Sequence, residues 1–475
     1  MSITPVAANH GRPRFADWGA PYICVRAILT AMDWTSAWPR TYWSIGTTGA
    51  GTPTPVRPPR YADLERADLE RANRDDQRVD LDELEALRTP AGEALLASAL
   101  AGLDAGADLL PLTTRLRTTG AGPALVAAAL TQAQLRVRAR AKFGSTADRM
   151  FWTSAGFEQS TRASVAAHRA ERFTSLAPGR VADLCCGVGG DLLALAAAGL
   201  EVVGVDRDPV TAAVARTNLE LLGLAAHASV RVEDVTTTDL NGFDSAFLDP
   251  ARRSSSGRRT FDPASYSPSF AFAVELAERV SATAVKVAPG IPHSLVPAGT
   301  EAEWVSDAGD VKEAVLWSGG LAPDQVGRRA TLLPSGATVT DDVSLGPPRT
   351  GAAGRYLHEP DGAVVRAGLV AEAAARVDGW LLDPTIAYVS TDSEVRSPFT
   401  KRYAVELVVP FQLKRLRALL RERGVGDVVV KKRGTAVEPE ELRRRLKLDG
   451  AGPMRTLVLT RVDGQPIVLL CDPAP

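Results

Sequence analysis

The stretch from Val181 to Asp191, Val-Ala-Asp-Leu-Cys-Cys-Gly-Val-Gly-Gly-Asp, limits the fold more than any other in this chain. A short apolar run ends in the carboxylate of Asp183, passes through a glycine-rich turn and opens the helix-like run Leu192 to Ala198. A strand, a tight glycine turn and an immediate helix form the first βα unit of a nucleotide-binding sheet. Asp183 then stands at the carboxyl end of its strand, where open α/β sheets bind ligands. The dinucleotide fingerprint G-x-G-x-x-G fits Gly187 and Gly189 but fails at its third glycine, where Leu192 stands.

The pattern of a strand ending in an acid repeats downstream. Leu200 to Val205 ends in Asp206, placed like the acid that accepts hydrogen bonds from ribose hydroxyls, with Arg207 beside it. Asp208-Pro209 reads as an N-cap and first helical residue. Val230 to Asp234 is a third strand-like run ending in an acid, followed by Val235. Ser245 to Leu248 is a fourth, ending in Asp249 and running on as Pro250-Ala-Arg252-Arg253. Thr283 to Gly290 is a fifth; its Lys286 is either near the site or a strand-edge charge. Val311 to Trp317 and Arg329 to Leu333 read as a closing pair of strands.

Charge and cysteine content bound the function. The net charge of −1 over 475 residues puts no nucleic-acid footprint on the whole chain, so any basic surface is local. Eight lysines stand among the 55 basic residues; the arginine excess follows from a GC-rich composition, and a lysine cluster carries more weight. The four cysteines, Cys24, Cys185, Cys186 and Cys471, show no metal-ligand spacing and fit a reducing cytoplasm, so neither a metal nor a disulfide is expected. No apolar run approaches the length of a membrane span. Covalent addition to a substrate ring carbon needs a cysteine nucleophile, and none follows Asp249 until Cys471.

Five regions are expected: a disordered extension over 1–60 with Trp18, Trp34, Trp38 and Trp43; a helical N-terminal domain over 61–149; the sheet domain over 150–333; a Pro/Gly linker over 334–354; and a smaller α/β module over 355–475. In the helical domain Leu81, Leu84 and Leu87 keep helical spacing, Thr89-Pro90 starts a helix, Thr113 to Gly120 reads as a loop and Ala124 to Ala139 as a helix. Phe151-Trp152-Thr153 leads into another helix before the glycine turn. In the last module, strands are expected over Tyr403–Val409 and Gly426–Lys431, helices over Phe411–Arg423 and Pro439–Lys447, and a hairpin around Asp463-Gly464. Between 401 and 447 fourteen basic residues face six acidic ones, and Lys431-Lys432-Arg433 stands out in a chain so poor in lysine. A basic α/β module is the footprint of phosphate-backbone binding.

From about Ala147 onward the chain resembles bacterial class I S-adenosylmethionine (SAM)-dependent methyltransferases with a THUMP-like C-terminal domain. The residues carrying the likeness are Asp183-Leu-Cys-Cys-Gly-Val-Gly-Gly-Asp191, Phe247-Leu-Asp-Pro-Ala-Arg-Arg253, Tyr356-Leu-His-Glu-Pro360 and Lys431-Lys-Arg-Gly434; Cys186 to Gly190 is also similar to trimethylguanosine synthase-like enzymes. The resemblance implies a Rossmann-like sheet and SAM as cofactor, held by Asp183, Cys185, Gly187, Gly189, Asp206, Arg207, Asp234 and Val235. Cys185 replaces a glycine common in the motif. It further implies an RNA nucleotide, flipped from its stack, oriented by Asp249, Pro250 and Arg252, and methyl transfer to nitrogen or oxygen. Amine-modifying relatives carry Asp/Asn-Pro-Pro-aromatic at Asp249; here Ala251 and Arg252 depart from it. THUMP domains elsewhere deliver structured RNA, which makes Lys431, Lys432 and Arg433 the expected RNA contacts. Two other readings remain open: a small-molecule methyltransferase, and a non-catalytic RNA-binding protein that keeps the fold.

Overall fold

The computed structural model describes residues 80–176, 179–252, 265–324 and 326–472. The extension over 1–60 with its four tryptophans, Cys24, Arg253, Arg258 and Arg259 lie outside the described residues. The chain divides into two compact units, one holding the residues to Thr174 with Cys186–Asp234, the other Ser175–Cys185 with Val235–Pro475. The strands, in chain order, begin with β1 (Arg180–Leu184), β2 (Glu201–Asp206), β3 (Ala228–Val232), β4 (Ser245–Leu248), β5 (Ala251–Arg252), β6 (Tyr266–Ser267), β7 (Ala282–Val287), β8 (Glu301–Asp307) and β9 (Asp310–Gly319). They continue with β10 (Arg328–Leu333), β11 (Ala337–Thr340), β12 (Tyr356–Pro360), β13 (Trp380–Asp383), β14 (Ile386–Thr391), β15 (Thr400–Pro410), β16 (Asp427–Lys432), β17 (Met454–Val462) and β18 (Gln465–Cys471).

The first unit opens with helices. Asp80 and Glu83 cap Leu81–Leu87 reciprocally, and Leu84 and Leu87 face inward. Thr89 caps Pro90–Asp104, as the Thr-Pro pair indicates. The expected loop at Thr113 to Gly120 is instead largely helix, Leu109–Arg117. Two threonines in succession read as a turn, but Thr113 and Thr114 satisfy their hydroxyls on the carbonyls of Leu109 and Leu110. Leu112 and Leu116, one turn apart, are both buried, and that burial decides the matter. The helix Pro123–Phe143 outruns the expected Ala139 by one turn. Further along, β2 and β3 pair in parallel across the helix Pro209–Leu221, the βαβ form that the acid-ended strands require.

In the second unit seven strands run in the order β11-β10-β8-β9-β7-β4-β1. β1, β4 and β7 are mutually parallel neighbours, and β9 runs antiparallel beside β7. The expected closing pair is not a pair. β8 separates β9 from β10, and its sequence Glu-Ala-Glu-Trp-Val-Ser-Asp is buried throughout. Its acids look solvent-facing in sequence, yet Glu301 accepts from Arg329 and Glu303 from Trp317 and Thr331. Burial of such groups is tolerable only with those partners. β11 lies within the stretch read as linker.

The C-terminal part of this unit is a seven-stranded sheet, β13-β14-β12-β15-β18-β17-β16. Helices Leu413–Glu422 and Pro439–Leu446 bury Leu416, Leu420, Leu442 and Leu446 against Leu457 and Leu470 of the sheet. Asp463 and Gly464 both take positive φ at the tip of the β17–β18 hairpin, the geometry this two-residue turn needs. β12, β13 and β14 were not legible as strands.

Candidate active site

The glycine turn begins where β1 ends. Cys185 holds φ +64°, Gly187 +57° and Gly189 +97°. The glycines meet this at no steric cost, whereas Cys185 occupies a left-handed conformation that costs a side-chain-bearing residue about 1–2 kcal/mol. A glycine would meet the geometry at that position freely, and Cys185 holds it under strain. A Cβ built on Gly187 meets nothing within 4 Å, so the loop is open on that side.

Within the first unit the turn is braced from two directions. The Gly187 N–H donates to Oδ2 of Asp206 at 3.0 Å, and Asp208 N–H donates to its Oδ1 at 2.9 Å. Burial raises the Asp206 carboxyl above its ordinary value, while these two backbone N–H groups pull the other way. A carboxylate offers about four acceptor sites, so two N–H bonds leave room for a diol. From the other side, Asn218 accepts from Phe151 N–H at 2.7 Å and donates to the carbonyls of Phe151 and Val188, each at 3.0 Å. Gln132 closes a similar pair of bonds on the Trp152 backbone. The Phe151-Trp152-Thr153 segment is therefore pinned to the glycine turn through Asn218, a residue that sequence reading missed; a buried Asn in an apolar helix face was its only signal. The third acid sits differently from expectation. β3 stops at Val232, so Asp234 lies two residues past the strand and is exposed, as is Arg207.

In the second unit Asp183 is wholly buried at the end of β1, in register with Phe247 of β4. Val235 and Pro250 are buried, and Cys185 is half-buried. The Asp249 N–H donates to the Leu184 carbonyl at 3.2 Å, which places Asp183 and Asp249 at the carboxyl ends of adjacent parallel strands. Oδ2 of Asp249 accepts from Lys286 Nζ at 2.7 Å. Lys286 Nζ also lies 4.0 Å from Oε2 of Glu313 on β9. Lys286 thus belongs to the strand-end acid rather than to a sheet edge. Arg252 lies on the two-residue strand β5, in register with Tyr266.

The chemistry of these residues fits SAM: a glycine turn open on one side and a strand-end carboxylate with spare acceptor capacity. Among the described residues no cluster of three or more His, Cys, Asp or Glu could hold a metal, and no helix is long and apolar enough to cross a membrane.

The basic trio of the C-terminal sheet is engaged internally. Lys431 pairs with Glu359 at 2.5 Å and Lys432 with Glu438 at 2.6 Å. Arg433 donates to the Ala387 carbonyl at 2.7 Å and stacks 5.1 Å over Tyr388. Elsewhere, Lys414, Arg415 and Arg421 on the helix Leu413–Glu422, with Arg444 and Lys447 at the end of the next helix, are exposed and have no ion-pair partner among the described residues.

Residues 181–250 match a family model described as a methyltransferase domain, 400–473 one described as THUMP domain-like, and 80–139 a domain of unknown function. Two curated relatives from Mycobacterium tuberculosis, strains CDC 1551 and H37Rv, are each named an uncharacterized S-adenosylmethionine-dependent methyltransferase. Each is 39% identical over 340 residues, covering 69% of this chain and 90% of its own. A crystal structure from Porphyromonas gingivalis W83 with a provisional methyltransferase assignment aligns with a TM-score of 0.63 at 25% identity, over 75% of this chain and 92% of that one.

Proposed function

The chain belongs to the S-adenosylmethionine-dependent methyltransferases, and from that premise we propose that its substrate is structured RNA. Bound SAM supplies a methyl group on a sulfonium that needs no further activation, so the protein's task is positioning. We assign Asp206 to the ribose hydroxyls, Asp234 and Val235 to the adenine with Arg207 alongside, and Asp183, Cys185, Gly187 and Gly189 to the amino-acid end. We assign Asp249, Pro250 and Arg252 to the acceptor nucleotide.

The observation that carries the RNA reading is the basic helical face. Lys414, Arg415, Arg421, Arg444 and Lys447 are exposed without ion-pair partners among the described residues, in the region that matches a THUMP-like family model. Phosphate-backbone binding needs cations that are not already neutralised. Lys431, Lys432 and Arg433 meet that need less well, because the two lysines already pair with carboxylates and Arg433 is held at the Ala387 carbonyl; we assign the RNA contact to the helices.

The test is incubation with tritiated SAM and total bacterial RNA fractionated by size, wild type against Asp249→Ala. Label in one RNA size class, lost in the variant, supports the reading. Label in metabolites alone would favour a small-molecule enzyme. Binding of RNA without transfer, undisturbed by Asp206→Ala, would favour a non-catalytic role.

A further inference from the structure

We propose that the methyl acceptor at Asp249 is a hydroxyl oxygen, in RNA a ribose 2′-hydroxyl, and that Lys286 is the residue that selects it. The inference rests on the RNA methyltransferase reading and adds the acceptor atom to it.

The geometry around Asp249 is asymmetric. Its backbone is fixed by the bond to Leu184 and by the buried Pro250 that follows. Oδ2 is committed to Lys286 at 2.7 Å, while Oδ1 takes no bond among the described residues and the side chain is 27% exposed. Lys286 is held in turn. It stands on β7, beside and parallel to β4, with Val285 opposite Leu248 and so Lys286 level with Asp249. Its side chain is 10% exposed and that of Glu313 3%, so the ammonium sits between two carboxylates in a place with little water. Long-range screening is weak there.

A group that donates to Oδ1 comes to rest within a few ångströms of that ammonium. The cation treats the two kinds of acceptor unequally. An amine nitrogen takes the methyl group first and becomes positive before it releases a proton; the carboxylates of Asp249 and Glu313 tolerate that charge, and the Lys286 ammonium opposes it. The amine also has two N–H groups to satisfy and a planar base to hold, and the residues after Pro250, Ala251 and Arg252, include no aromatic ring to stack on that base. A hydroxyl has one proton, and one acceptor oxygen suffices for it. As that proton moves to Oδ1 of Asp249, negative charge grows on the oxygen, and the neighbouring ammonium stabilises it. The oxygen attacks the methyl carbon. The O–C bond forms as the C–S bond breaks, the electron pair leaves with sulfur as the thioether, and the hydroxyl proton ends on Asp249 and passes to water. The 2′-hydroxyl is the hydroxyl that every internal RNA nucleotide presents.

Alkaline hydrolysis of RNA labelled from tritiated SAM reads the acceptor directly, because a methylated 2′-oxygen blocks cleavage of the adjoining phosphodiester. We expect the label in alkali-resistant dinucleotides. Label in mononucleotides would overturn the hydroxyl assignment and leave RNA methylation standing; no label in any RNA would overturn both. For Lys286, transfer by Lys286→Gln is expected to fall about 10²–10³-fold, the usual loss on removing one charge-stabilising donor. Affinity for the demethylated product, by calorimetry, should change less than about twofold, and Lys286→Arg should recover part of the rate. Wild-type transfer in Lys286→Gln, or loss of product binding in step with it, would remove Lys286 from this role. If Lys286→Gln does not fold, Lys286→Met/Glu313→Gln removes ammonium and carboxylate together and is read the same way.

Discussion

Two strand ends in this molecule carry lysine beside a carboxylate, and they use it oppositely. At the end of β7, Lys286 occupies one oxygen of Asp249 and leaves the other open. At the end of β16, Lys431 meets Glu359, which also accepts from Tyr403 Oη at 3.0 Å and lies 3.8 Å from Arg433. The rings of Tyr403 and Tyr388 back the two cations at 5.8 and 5.1 Å. Two donors and a second cation surround that carboxylate, and the cluster ties β12, β14, β15 and β16 together. The burial and the Glu359 charge that push the Tyr403 hydroxyl up belong to the same closed arrangement. A basic residue at a strand end therefore says little by itself. What its partner has left to offer decides whether the pair holds the fold or serves a ligand.

The comparison breaks most sharply at its two acids. Asp249→Ala should cost about 10²–10³-fold in transfer, roughly 3–4 kcal/mol of barrier, with a smaller shift of the urea unfolding midpoint than Glu359→Ala because Lys286 keeps Glu313 as a partner. Glu359→Ala should do the reverse. Removing one partner of a half-buried ion cluster costs about 3 kcal/mol of stability, while affinity for the demethylated donor, by calorimetry, stays as in the wild type. If Glu359→Ala left stability intact and abolished RNA binding, the cluster would be a ligand site and the contrast would fail.

A pH experiment sharpens the closed side. His358, on β12 next to Glu359, is fully buried between Thr400 and Thr391. Burial, and then the charge of Arg402, lower it from 6.5 to about 4. The folded chain holds it neutral, whereas the unfolded chain takes up a proton near the ordinary value. Stability is thus complete above pH 6.5 and drains away as pH falls toward 4, by an amount on the order of 3 kcal/mol. Melting curves across that window should show the loss, and His358→Gln should flatten it.

The same contrast explains what could be read from sequence. β1, β2 and β4 were legible because an apolar run, an acid and a turn or N-cap coincide at each, and β7 because an apolar run ends in Pro289-Gly290. Asp208-Pro209 and the Asp463-Gly464 hairpin declared themselves through local backbone chemistry. β8 was hidden because Glu301, Glu303 and Asp307 look solvent-facing until Arg329, Trp317 and Thr331 supply partners. The two roles of lysine were hidden for the same reason. That Lys286 meets Asp249 depends on the parallel register of β4 and β7, and that Lys431 meets Glu359 joins residues 72 positions apart. Asn218, which joins Phe151 to Val188, is likewise a product of packing.

The smallest expected effect concerns the exposed helical face, and it separates open charges from closed ones within one domain. Arg415→Ala or Arg421→Ala removes one uncommitted cation from a helix whose buried Leu416 and Leu420 are untouched. Each should weaken RNA binding uniformly across sequences by about 0.5–1 kcal/mol and reduce the slope of log affinity against log salt by about one, with the melting temperature unchanged. Lys432→Ala is the internal control. Its charge is shared with Glu438 across an exposed pair, so its loss should alter the salt slope less than either arginine and cost the fold no more than about 1 kcal/mol. Filter binding at four salt concentrations ranks the three variants. A larger slope change for Lys432→Ala than for Arg415→Ala would return the RNA contact to the strand end and undo the division between the two kinds of cation.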